Sequence, residues 1–218
     1  MPNFVIFEHW AEFVRGAAMT LVLSGVSLVL ALILAIMLVL CRTSGAKTLR
    51  FIALSIVEVV RNTPFLVQVF FVFFGLPSLG LRLSPATAAV LALSFNCGAY
   101  LAEVLRGGIE SIPKGQLEAA HALGLSRLRT FTDVVFRPAM RSIYPSLRSQ
   151  VTLTVLTSSI VASISANELT YTASVLDAET FRSMEVYLTV AVIYLLVTQV
   201  FSWAMTRIGN SYFSYPAS

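Results

Sequence analysis

The stretch IESIPKGQLEAAHALGLSRLRTFTDVVFRPAMRSIYPSLR, residues 109–148, is the one long segment of this 218-residue chain that is not built for lipid. Around it the chain runs apolar: residues 16–41, 62–81, 83–102, 149–167 and 186–206 carry no Asp, Glu, Lys or Arg. Each run reaches the ~20 residues that a helix rising ~1.5 Å per residue needs to cross ~30 Å of hydrocarbon. With 57% hydrophobic and 12% charged residues, the chain is too apolar for a soluble domain of this length. The sequence therefore predicts an all-α integral membrane protein of five transmembrane helices.

Within the charged stretch, residues 115–123 are good helix formers, and Gly124 suits the left-handed turn that ends a helix. A second short helix is expected to start at a Ser126 cap and run toward Pro138. The product is a helix-turn-helix elbow carrying Lys114, Arg127, Arg129, Arg137 and Arg141. Held by spans on both sides, it offers a rigid, small-residue knob to a partner outside the bilayer.

Glu118-Ala119-Ala120, three residues, then Gly124 resembles the EAA loop of the membrane-spanning subunits of ATP-binding-cassette (ABC) importers. The flanking IPKGQ (112–116), ALGLS (122–126) and AYLAEVLRGGI (99–109) resemble the polar amino acid permease family in particular, that of histidine, glutamine and arginine permeases. In that family the first elbow helix is the coupling helix that docks on the ATPase. The resemblance thus assigns docking to Gln116, Glu118, Ala119, Ala120 and Gly124.

Charge sets the expected topology. If the loop with Arg42, Lys47 and Arg50 is cytoplasmic, so are Arg106, Lys114, Arg127, Arg129, Arg137, Arg141, Arg148 and Arg207, eleven cations in all. Only Arg15, Arg82 and Arg182 then lie outside. The positive-inside rule accordingly puts the N-terminus outside and the C-terminus in the cytoplasm. The formal charge of +4 is a topology signal rather than a nucleic-acid one, since no basic patch is interleaved with exposed aromatics. Residues 1–15 form a short amphipathic lead without a positive n-region, so a cleaved signal peptide is not expected. Cys41 and Cys97 read as small apolar packing residues.

Polar residues inside the spans are the candidates for function. In the second, Glu58 and Arg61 are three apart and can pair on one helix face, and Pro64 favours a kink. This run resembles the family's RGTP signature, with Asn62 where glycine is usual. In the third, Asn96 and Tyr100 share a face, and the span closes with Glu103 and Arg106. The fourth is rich in hydroxyls, among them Thr157, Ser158 and Ser159, and ends at Asn167 and Glu168. Two readings of Asn96, Tyr100, Thr157, Ser158 and Ser159 stand open: bonding within and between helices, or a translocation path. Where the family commonly has KDTSL, this chain has no charged pair at 156–160, whereas Glu168-Leu169 matches the family's EL. Arg61, Pro64, Glu103, Arg106 and Glu168 are expected to be structural or gating residues. At 136–139, FRPA stands where LPQ is usual, so the proline falls one residue later.

The resemblance covers residues 16–207 and implies a type I ABC importer permease fold with its EAA loop at about 107–148 and a cytoplasmic tail at 208–218. It also implies partners: a cytoplasmic ABC ATPase dimer, a second permease subunit (a copy or a paralogue) and an extracytoplasmic solute-binding protein. The expected solute is a polar amino acid or a close derivative, the expected location a bacterial inner membrane, and no cofactor or nucleic acid is involved. A membrane enzyme is disfavoured, because the only histidines, His9 and His121, lie outside the spans and no phosphate loop is present. An ion-coupled transporter or channel is disfavoured by the lack of an acidic relay and of an inverted repeat.

Overall fold

The computed structural model describes residues 5–213, which are helical throughout apart from short connections. After a single turn, α1 (Val5–Glu8), come α2 (Trp10–Thr43), α3 (Lys47–Arg61), α4 (Phe65–Phe70), α5 (Pro85–Glu110) and α6 (Lys114–Ala122). α7 (Arg127–Arg129), α8 (Arg137–Thr157), α9 (Leu169–Thr180) and α10 (Ser183–Phe213) follow. Three helices, α2, α5 and α10, are long and apolar enough to cross a membrane unaided. Two bent pairs bring the possible crossings to five: Lys47–Arg61 with Phe65–Leu79, turned through 112°, and Arg127–Ile164 with Leu169–Thr180, turned through 48°.

The α2·α5 pair is the centre of the molecule. α2 turns toward α5 a stripe of small residues, Ser24, Ser27, Ala31 and Ala35, all buried. Lipid tails are as apolar as leucine, so helices here associate by close packing rather than by expelling water. Gly98 shows how close the approach is: a Cβ on it would lie 2.9 Å from Leu34 Cδ2 and 3.2 Å from the Ala31 carbonyl oxygen. Ser27 Oγ adds a bond to the Val90 carbonyl at 3.4 Å. α3 lies against both helices near their elbow ends, with Ala53 and Val57 buried among Ala35, Leu38, Val39 and Leu101.

The second apolar run differs from a single straight span over 62–81. Its helix starts earlier, at Lys47, and breaks at residues 62–64. Pro64 is extended (φ −62°, ψ 137°) and caps α4, as a residue with no N–H and a fixed φ does at a helix start. Past Phe70 the helix widens into a π turn, Phe71–Gly75, and then tightens into a 3-10 turn, Leu76–Leu79. Gly80 closes it in the left-handed region, with φ 85°.

The second elbow helix also departs from expectation, since it does not stop near Pro138. From the Ser126 cap it runs through a π segment, Thr130–Phe136, directly into α8. The proline ring would strike a carbonyl of the preceding turn in a regular α-helix. In the π segment the Arg137 N–H reaches back five residues, to the Thr132 carbonyl, and that wider turn accommodates the ring. The fourth span is likewise longer than 149–167. α8 passes into a 3-10 segment, Ser158–Ile164, and the chain then turns at Ser165 (φ 58°) before Glu168 starts α9. Trp10 to Arg15, read as part of a separate lead, belong to α2 itself. Residues 214–218 of the expected tail lie outside the described residues.

Candidate functional site

The elbow forms as its sequence dictates. α6 begins after the extended Pro113 and ends at Gly124, whose φ is 65°. Gly124 N donates to the His121 carbonyl at 3.0 Å, and Leu125 N to the Ala120 carbonyl at 3.1 Å. This is the Schellman pattern, which satisfies carbonyls that a helix end leaves bare. Ser126 Oγ then accepts from Arg129 N at 3.4 Å and starts the next helix. Gln116, Glu118, Ala119 and Gly124 are exposed, whereas Ala120 is buried and turned toward the π segment. Its single methyl group lets α6 lie close to Val134 and Pro138 across a shallow groove. Two residues not singled out from the sequence complete the tip: Leu123 is 77% and Leu128 73% exposed. The signal was available, since leucines flank the glycine turn in AHALGLSRLR, but Leu123 reads as an ordinary helix former and nothing local singles out Leu128.

Next to the elbow an ionic cluster ties three helices together. Glu103 on α5 accepts from Arg106 Nη2 at 2.9 Å and from Arg42 Nη1 of α2, and it lies 3.7 Å from Arg61 Nη1 of α3. Arg106 also pairs with Glu110. The pairing expected between Glu58 and Arg61 is replaced. Arg61 turns to Glu103 and over the Tyr100 ring, 5.6 Å from its centroid, while Glu58 accepts from Asn62 Nδ2 at 3.0 Å. Glu103 is the stronger attractor because it stands half-shielded between helices rather than on an open face. Arg42, a loop cation by sequence, thus makes an interhelical ion pair, as Arg61 does.

Asn96 reaches across to the broken span and donates to Gln68 Oε1 at 3.0 Å. Gln68 Nε2 in turn lies within bonding distance of the Val60 carbonyl at 2.7 Å, the Thr63 carbonyl at 3.1 Å and Thr63 Oγ1 at 2.9 Å. Those acceptors belong to the turn that breaks the second span, so Gln68 stitches the 112° bend closed. Gln68 lies in VQVFF, and only its chain-distant partners reveal the role. The hydroxyls of the fourth span are turned inward on their own backbone. Thr157 Oγ1 donates to the Leu153 carbonyl at 2.9 Å, Ser158 to Val155 at 2.7 Å and Ser159 to Leu156 at 2.8 Å. Ser158 is fully buried, whereas Thr157 and Ser159 retain some exposure.

Glu168 is wholly buried at the break before α9. Its Oε1 accepts from Tyr171 N at 2.7 Å, capping α9. Oε2 accepts from Tyr194 Oη of α10 at 2.6 Å and from Thr20 Oγ1 of α2 at 3.3 Å. A carboxylate in such a place requires several donors to offset its lost hydration, and the partners come from three helices. Beside it opens a cleft of about 600 Å3 lined by Glu12, Arg15, Asn167, Tyr171 and Glu179 among others.

The described residues thus form a helical core of membrane-spanning type, with two bent helix pairs and a capped, charged elbow at one end. Residues 27–213 match the family of binding-protein-dependent transport system inner membrane components. The chain is 39% identical over 197 residues to the glutamine transport system permease protein GlnP of Escherichia coli (strain K12), covering 89% of this chain and 90% of that one. It is 33% identical over 208 residues to the nopaline transport system permease protein NocM of Agrobacterium fabrum, covering 91% and 86%. Among solved structures, an amino acid ABC transporter with histidines superposes with a TM-score of 0.89 at 31% identity, covering 97% of this chain and 99% of that one. The inward-facing MetNI methionine ABC transporter shares the fold, with a TM-score of 0.70 at 18% identity and coverage of 98% and 100%.

The chain belongs to the family of binding-protein-dependent transport system inner membrane components. It is therefore a multi-pass inner-membrane permease subunit of an ABC importer, with the type I fold. ATP hydrolysis falls to a separate ATPase subunit, and a solute-binding protein delivers the cargo.

Proposed function

We propose that this permease carries a polar amino acid, glutamine or a close analogue, inward through an assembly of two permease subunits and two ATPase subunits. The observation that carries the reading is the similarity to a glutamine permease, 39% identical over 89% of this chain. Five crossings, with the N-terminus outside, place the elbow in the cytoplasm, where the ATPase lies. There α6 is the coupling helix: Gln116, Glu118 and Ala119 face outward, Ala120 seats the helix on the π segment, and Leu123 and Leu128 fill an apolar groove on the ATPase. Five helices with their lipid-facing sides excluded barely enclose a path, so a second permease subunit completes it.

The path runs past Asn96 and Tyr100 of α5 and the partly exposed Thr157 and Ser159, with buried Ser158 packing behind them. These groups offer hydroxyl and amide dipoles to an ammonium and a carboxylate without a fixed charge among them. Contacts of that kind are weak enough to release the solute, and selectivity then rests mainly on the binding protein.

The test is reconstitution with the cognate ATPase and binding protein in proteoliposomes. Glutamine uptake is expected to need ATP and both partners. Uptake driven by a proton or sodium gradient without ATP, or none with any polar amino acid, overturns the reading.

A further inference from the structure

Two cavities meet at the elbow end of α2 and α5, and their linings differ in kind. The first is polar and basic, lined by Arg42, Arg50, Arg106 and Glu110. The second, of about 430 Å3, is almost wholly apolar and lies between Ile36, Leu40, Leu105, Phe131, Phe136 and Met140. Val39, Thr43 and Ile109 line both, so the two form one continuous surface. The apolar part opens between the elbow ends of α2 and α5, the π segment and the start of α8.

The charge around the basic part does not cancel. Arg42, Arg61 and Arg106 share Glu103, Arg106 also holds Glu110, and among the described residues no carboxylate pairs with Arg50. Four guanidiniums thus stand against two carboxylates, with the exposed Lys47 one turn from Arg50. Arg42 spends one terminal nitrogen on Glu103, which leaves further donors of its planar fork for a phosphate.

We propose that this composite surface binds one anionic glycerophospholipid, with the headgroup phosphate on Arg50 and Arg42 and an acyl chain in the apolar groove. A free anion would use only the basic half, and a neutral lipid only the other. Basic pockets at the cytoplasmic ends of spans are suited to anionic headgroups, because the surface potential of that leaflet concentrates them. The site holds α3 against α2 and α5 at the Glu103 cluster, beside the elbow. The inference rests on the proposed orientation, with the elbow end of the spans cytoplasmic, and is independent of which solute is carried.

The test uses the assembled permease–ATPase complex in nanodiscs of equal phosphatidylglycerol and phosphatidylcholine, released into mild detergent, with retained lipids counted by native mass spectrometry. Phosphatidylglycerol is expected to be retained in preference. Arg50→Gln should lower that preference on the order of fivefold, as loss of one interfacial cation does, while Arg82→Gln, the same charge change at an exposed position elsewhere, leaves it intact. Leu40→Trp, which blocks the groove from an exposed position, should lower retention without unfolding the complex. Equal retention of the two lipids, an unchanged preference in Arg50→Gln, or full displacement by inorganic phosphate overturns the proposal.

Discussion

Tyr194 Oη donates to Glu168 Oε2 at 2.6 Å, a bond between α10 and the residue that starts α9. Because Thr20 of α2 donates to the same oxygen and itself accepts from Leu169 N at 3.1 Å, the break in the fourth span is fastened to two neighbouring helices. The 48° bend there is consequently a fixed corner rather than a loose joint.

Glu168→Ala should destabilise the complex by about 2 kcal/mol, since it removes the acceptor shared by the Tyr171 N–H, Thr20 and Tyr194 and leaves the Tyr194 hydroxyl only Thr170 Oγ1, 3.1 Å away. Tyr194→Phe removes one donor while Tyr171 and Thr20 remain, and about 1 kcal/mol is expected. Thermal unfolding of the detergent-solubilised complex checks the order of the two. Equal stability of Glu168→Ala and wild type contradicts the fastening.

At the elbow, Gly124→Ala forces a Cβ into the left-handed region and should cost on the order of 1 kcal/mol locally. Leu123→Asp and Leu128→Asp leave that geometry untouched and place a charge where an apolar contact is proposed. All three are expected to weaken ATPase association and uptake, with the leucine variants retaining normal thermal stability. Full uptake by the double leucine variant removes the tip from the docking surface.

Gln68→Ala should matter more than Asn96→Ala. The first unties every bond that Gln68 makes across the bend, whereas the second removes only the Asn96 link and leaves the Val60 and Thr63 acceptors satisfied. Proteolytic sensitivity of the 62–64 break, read alongside uptake, separates the two. A reversed order of effects would show that Asn96 works chiefly on the solute.

Thr157→Val with Ser159→Ala removes two hydroxyls with little change of shape. Uptake should fall severalfold while the affinity of the binding protein for its solute stays the same, because that site lies on another molecule. Unchanged transport of every amino acid tested assigns these hydroxyls to their own helix backbone, where both now bond.

Much of the architecture was readable because lipid imposes length and charge rules on a chain. The charge-free runs marked the apolar helices, three of them long enough to cross a membrane unaided, and Gly124 and Ser126 announced the elbow turn through their backbone chemistry. What escaped reading depends on distant partners. Nothing local distinguishes Arg42 from Lys47, yet only Arg42 finds Glu103 across 61 residues. The second apolar run does not reveal its helix start at Lys47, because α3 is amphipathic, its polar face serving the Glu103 cluster rather than water alone. Pro138 looked like a stop, and a π turn, which has no composition signature, let the helix pass it.

The π segment has one further consequence. From Arg127 to Ile164 the chain is continuously helical, a shaft that extends roughly 55 Å at ~1.5 Å per residue. On the other side of α6, only Ser111 to Pro113 separate it from α5. The elbow is thus pinned by a short pivot at one end and made of one piece with a long rod at the other. A push on its tip cannot dissipate in a slack linker; it becomes a tilt of the rod, and the tilt arrives at the fastened corner beside Glu168, at the rod's other end.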